Sequence, residues 1–222
     1  MRLYTVAPIL NCSGWLGYTP RMAEIPVITI AGPEKKEPKL FIARVFCLRK
    51  EPPPLGLLIE FLKARSATPI LPAEVTDKML NSWNWVGIEI GYARDRKSIV
   101  LTCVRKGSAQ DEIFKQEVQG FLDFVETHRE IDNWLVVDQL RGCRFYIAAI
   151  LDKNDITEDG YDFNGWILQF FQENCDGMVQ IDGQGFYNAE GEVIFELPPI
   201  DDEPEPSALP VLNPEKPSQP AG

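Results

Sequence analysis

The chain has 222 residues, 45% hydrophobic and 25% charged, with a net charge of −11. That is length and apolar content enough for one large domain or two small ones. No apolar run approaches the ~20 residues of a membrane-spanning helix, and the acidic balance disfavours nucleic acid and anionic membranes, whose binding begins with Lys and Arg neutralising phosphates.

Residues 1–37 give few signals. "PVITIA" (26–31) predicts a short strand and "AGPEKKEPK" (31–39) a polar boundary. The first 20 residues lack a sustained apolar stretch and a small-x-small cleavage site, so no signal peptide is predicted. The five cysteines are Cys12, Cys47, Cys103, Cys143 and Cys175, an odd number with no C-x-x-C pair. Buried, reduced thiols and a cytoplasmic location are the expectation.

From residue 39 the pattern sharpens. "KLFIARVFCL" (39–48) is apolar on both parities, as in a strand covered on both faces. "PPPLGLLIEFLKARS" opens with Pro54 near a first helical position, followed by Leu58, Phe61 and Leu62 at helical spacing. "PAEVTDKMLNSW" predicts a second short helix from Pro72, with Val75, Met79 and Trp83 four apart. In "WVGIEIGYARDRKSIVLTC" (85–103) alternation predicts a hairpin. "SAQDEIFKQEVQGFLDFVETH" is an amphipathic helix, with Ser108 able to cap it and acids in its first turn. "IDNWLVVDQL" fits a helix or a strand. "CRFYIAAIL" (143–151) is a second buried strand. "YDFNGWILQFFQENCDG" is a helix, with Asp162 a plausible cap and Gly177 a plausible stop. "GMVQIDGQGFYNAEGEVIFEL" (177–197) is again strand, turn, strand. From Pro198 the chain is dense in proline and acids and predicts a disordered tail (198–222).

The expected fold is therefore α+β: a mixed, largely antiparallel sheet with helices on one face. Two βαββ-like halves, 39–104 and 143–197, would be joined by a long helix at 109–127, all within a domain spanning 38–197. Under an internal repeat, Val86 and Ile88 correspond to Val179 and Ile181, and Ile99 and Leu101 to Val193 and Phe195.

Recognisable catalytic sets are missing. There is no G-x-S-x-G, no glycine-rich phosphate loop and no C-x-x-C or H-E-x-x-H cluster. The single histidine, His128, ends a predicted helix, where an exposed imidazole is the simplest reading. No catalytic residue and no cofactor are predicted.

Three features could still bind something. Asp155, Thr157, Asp159 and Gly160 match the opening of a calcium loop, but the twelfth position is Trp166 where a bidentate Glu is needed. A polar strand–helix connection explains that segment equally well. Glu89 and Asp182 each sit among glycines in a hairpin. Were the halves paired about a twofold, these acids could face a shared groove walled by Tyr92 and Tyr187, there to bind a cation or do acid–base work. The alternative is that both acids face solvent and the glycines mark bulges or close backbone approach. Finally, Trp83 and Trp166 fall at helix-core spacing, while Trp15 lies in a loop-like stretch.

A repeated strand–helix–hairpin order over 39–197 is similar to the paired modules of GyrI-like effector-binding domains. It also resembles those of the vicinal-oxygen-chelate enzymes, whose closing hairpin looks like "FYNAEGEVIFEL". The second resemblance implies His and Glu metal ligands, which one histidine supplies poorly.

The leading functional expectation is a non-enzymatic cytoplasmic protein that binds a partner, such as a basic protein, through an acidic surface, in an immunity- or adaptor-like role. The alternatives are a small-molecule sensor with a groove between the halves, and a metal-assisted enzyme using Glu89 and Asp182.

Overall fold

The structure is a computed structural model that describes residues 39–128 and 133–199. The expectations for residues 1–37, including the strand at 26–31, Cys12 and Trp15, lie outside the described residues, as does the tail from 200 onward.

The described chain is α+β. Its seven strands are β1 (Leu40–Cys47), β2 (Gly87–Ile90), β3 (Ile99–Arg105), β4 (Phe145–Asp152), β5 (Gly177–Ile181), β6 (Gly185–Tyr187) and β7 (Val193–Glu196). They form one sheet in the order β2-β3-β4-β1-β5-β6-β7, and every pairing between them is antiparallel. The helices are α1 (Leu55–Ala64), α2 (Asp77–Leu80), α3 (Asp111–Thr127), α4 (Trp134–Gly142) and α5 (Glu158–Asn174).

Both parities of the central strands are apolar, and each parity finds its own cover. Phe41, Ala43, Val45 and Cys47 of β1 join Phe145, Ile147, Ala149 and Leu151 of β4 under α1 and α5. The opposite face, with Phe46, Tyr146 and Ala148, packs beneath Phe114, Val118, Leu122 and Val125 of α3 and Val136 and Leu140 of α4. Helices therefore lie on both faces, not on one as expected. An apolar second face left open to water would cost about 25 cal/mol for each Å² that α3 and α4 now cover. Phe46 and Phe186 on that side, and Phe145 and Phe171 on the other, are fully buried. Each such side chain is worth about 1.5–3 kcal/mol of transfer free energy.

Local signals account for most element ends. Pro54 caps α1 with a backbone φ of −57°. Asp111 and Glu112 occupy the first turn of α3, and the Asp111 carboxylate accepts the Gly107 N–H. That bond, followed by the Lys115 ammonium, holds the Asp111 carboxyl below its usual range. The ambiguous "WLVVDQL" is helix α4. The helix expected over 72–83 shrinks to α2, whose cap Thr76 takes the Met79 N–H on its hydroxyl. Trp83 lies beyond it, 51% exposed, so it is not a core residue. Helix α5 starts one turn earlier than expected, with Thr157 at the cap in place of Asp162. It ends at Cys175; Asp176 takes the left-handed turn (φ 49°), and Gly177 opens β5 where a Cβ would lie 2.5 Å from Val45 Cγ1.

The element orders of the two halves agree up to the hairpin, and the first strand of each, β1 and β4, pair at the middle of the sheet. Beyond that the halves diverge. The segment after β5 makes two strands, not one. The residues matched by pattern, Ile99 and Leu101 against Val193 and Phe195, fall on β3 next to a central strand and on β7 at the far edge.

Candidate functional site

The sheet register decides the shared-groove expectation. Glu89 stands opposite Val100, Val100 opposite Ile150, and Ile150 opposite Ile42. Ile42 O in turn accepts the N–H of Asp182 at 3.2 Å. The two acids thus end one cross-strand row on the same face, four strand spacings apart, or about 19 Å. A single cation holds its oxygen ligands at about 2–2.6 Å, so it cannot join them. Tyr92 and Tyr187 pack against the other face, the α1/α5 core. The Tyr92 hydroxyl accepts the Thr157 N–H at 3.2 Å, and the Tyr187 hydroxyl donates to Gln184 Oε1 at 2.7 Å. The structure does not bring the four residues together.

The flanking glycines serve backbone approach. A Cβ on Gly91 would press on Ile70, with which Gly91 forms a bridge. A Cβ on Gly185 would stand 2.3 Å from Phe195 O, beside a register shift in the β6–β7 pairing. The calcium-loop residues are also occupied or dispersed. Asp155 accepts the Lys97 N–H at 2.6 Å and lies 3.8 Å from Arg96, Thr157 caps α5, and Asp159 is in its first turn. Among the described residues, no group of three or more His, Cys, Asp or Glu side chains is placed to hold a metal ion.

Two polar constellations do form, and neither was singled out from sequence. The first surrounds Arg44, a cation on a central strand that is 9% exposed. Its Nε meets Glu117 of α3 at 2.6 Å. Its Nη1 donates to Asp182 and, at 2.8 Å, to Gln180 Oε1, which is fully buried. Gln180 Nε2 donates back to Asp182 at 3.0 Å. The guanidinium also stands 5.4 Å from the centre of the Phe121 ring. Beside this group, burial and then the Glu117 carboxylate push the Tyr146 hydroxyl well above its ordinary pKa. Asp182 is thus committed to holding, within the sheet, the Arg44 guanidinium that reaches Glu117 of α3.

The second is a cavity of about 560 Å³ at the end of the sheet where β1 begins and β4 and β5 end. Phe41, Leu168 and Ile181 supply apolar wall; Lys153, Asn164 and the turn Asp182–Gln184 supply polar groups; Tyr161 and Gly165 complete the α5 side. The Tyr161 ring meets Phe41 edge-on at 6.2 Å, and the Lys153 ammonium stands 5.8 Å from the Phe41 ring centre.

Asn164 is the exceptional member. Asparagine is a poor helix-interior residue, yet this one lies mid-helix and only 4% exposed. Its Oδ1 is buried with no hydrogen-bond partner among the described residues, a condition that costs about 1–3 kcal/mol. Its neighbour Gly165 faces open space: a Cβ there would meet nothing within 4 Å. The sequence carried a signal for both constellations. Arg44 interrupts an apolar strand, and Asn164 falls on the helical stripe of Gly160, Ile167 and Phe171.

The four cysteines among the described residues are shielded by position. Cys47, Cys103, Cys143 and Cys175 are buried and free. Desolvation raises the Cys47 thiol well above its ordinary pKa and pushes Cys103 and Cys143 up to about 12. His128 is exposed at the end of α3, its ring against Phe124.

Compared with known proteins, the chain matches no family model, no curated protein and no solved structure.

Proposed function

We propose that the protein is a binding module that takes a small organic molecule into the cavity between α5 and the β1/β5 end of the sheet. One observation carries this reading: Asn164, which lines a cavity of about 560 Å³, has a buried amide oxygen with no hydrogen-bond partner among the described residues. Ligand pockets fall in the range of about 300–1,000 Å³, mostly apolar with a few placed polar groups. A polar atom left unsatisfied inside a folded protein is a debt that a bound donor removes. This is the sensor alternative moved to a different place, with Asp182 at its rim and Glu89 outside it.

The test is a fragment screen followed by thermal melting and amide NMR. Compounds that bind should raise Tm and shift resonances of 161–168 and 181–184. Gly165→Trp fills the cavity from a position with open space, and it should abolish both effects. A screen in which no compound shifts those residues would refute the proposal.

A second reading, the acidic partner surface, has one specific support. The exposed side of α5 carries Glu158, Asp159 and Asp162. Among the described residues, none of the three has a cationic group within ion-pair distance. A basic protein held there would be released as salt rises through the range where the Debye length drops below about 8 Å. Replacing the three acids with amides should remove that salt-sensitive binding; binding that survives would place the partner elsewhere. A cytoplasmic site of action belongs to both readings as part of the proposal; among the described residues, no helix is long and apolar enough to cross a membrane.

A further inference from the structure

Resting on the cavity reading, we infer that the ligand is a flat ring compound that carries an N–H or O–H donor on the ring edge, of the cyclic-amide or nucleobase kind. The donor requirement comes from Asn164. Its Oδ1 can only accept, and among the described residues it has no donor. The last torsion of an asparagine side chain is broad and soft, so a modest turn of the amide presents that oxygen to the cavity. The same side chain then offers its NH₂ beside the oxygen. A donor and an acceptor side by side match the edge of a lactam or a nucleobase, as asparagine matches adenine elsewhere.

The ring requirement comes from the walls. Phe41, Leu168 and Ile181 offer apolar surface, and Tyr161 meets Phe41 edge-on and closes one side. Aromatic walls favour offset or edge-on contact with a flat ring over a branched chain. The volume admits one or two fused rings.

The experiment compares three matched probes by amide NMR titration and thermal melting: a bicyclic lactam (isoquinolin-1-one), the hydrocarbon of the same shape (naphthalene) and an open-chain amide (N-methylacetamide). Wild type, Asn164→Leu, Asn164→Asp and Gly165→Trp are used, each checked for native amide dispersion. The lactam should bind wild type at least tenfold more tightly than either other probe. Asn164→Leu should lose that preference while still binding naphthalene, which shows that its cavity is intact. Asn164→Asp, which keeps an acceptor, should retain part of it. If naphthalene binds wild type as tightly as the lactam, or Asn164→Leu binds the lactam unchanged, the ligand class is refuted while the cavity reading stands. If no probe perturbs residues lining the cavity, or Gly165→Trp binds as wild type does, the cavity reading fails and takes this inference with it.

Discussion

Arg44 gives the sharpest test of how the sheet and α3 hold together. Removing one partner of a buried ion pair costs about 3–5 kcal/mol when the other charge is left alone. Here the guanidinium has two carboxylates, Glu117 and Asp182, whose side chains are 31% and 22% exposed. Either single amide, Glu117→Gln or Asp182→Asn, leaves the other anion in place and should cost about 1–2 kcal/mol. The double variant strands a cation that is 9% exposed and should cost the full ~3–5 kcal/mol. Arg44→Met runs the other way. The methionine packs against Phe121, and the two acids, being part-exposed, rehydrate. What remains is one orphaned acceptor, Gln180 Oε1, at about 1–3 kcal/mol. Urea unfolding with an unchanged m value reads each cost from the midpoint. The ordering is the prediction: Arg44→Met is milder than the double carboxylate change. The reverse order would mean that the cation is wanted for its own sake, and the desolvation argument would be wrong.

Three further outcomes are expected. Gly185→Ala should lower stability by about 2 kcal/mol or more, because φ is +152° and the new Cβ meets Phe195 O; an unchanged melting temperature would show that β6 and β7 do not pair as described. Asp152 is held below the ordinary carboxylate range by Lys97 and then by the Asn154 N–H. The folded state is thereby favoured above the unfolded carboxyl pKa of about 4, and that contribution is lost as pH falls through the lower, folded value. Asp152→Asn should therefore destabilise at pH 7 and match wild type near pH 2; a gap that persists in acid would exclude this linkage. Last, maleimide at pH 8 should leave Cys47, Cys103, Cys143 and Cys175 unmodified until denaturant is added, as followed by peptide mass spectrometry. Rapid native labelling of any of the four would contradict their burial and raised pKa values.

Local pattern was enough for most of the elements and not for their assembly. The two-parity apolar runs at β1 and β4, the period of two at β2, and the stripe on α3 are all short-range facts. That helices cover both faces was latent in those same runs, since a strand apolar on both sides needs two covers. Which helix supplies the second cover is a long-range matter, because α3 and α4 lie between the halves in sequence. The same holds for the site. Glu89 and Asp182 look equivalent when each is read with its glycines, but their separation is set by register across β3, β4 and β1. Asn164 and Arg44 were legible as polar residues at apolar positions. Their partners, or the lack of one, were not: Arg44 meets Gln180 across 136 residues of chain.

That distance bears on how the chain emerges from a ribosome. Both neighbours of β1 in the sheet, β4 and β5, begin at Phe145 and Gly177, about 100 residues or more after β1 ends at Cys47. At 5–20 residues per second, the wait is about 5–20 s. Throughout it, a greasy eight-residue segment has neither edge satisfied, the state most open to wrong association. Arg44 sits in the middle of that segment as its only charge, the kind of residue that guards such stretches against self-assembly. The nascent strand would thus carry its own gatekeeper, which becomes an interior clamp once residues 180–182 have been made.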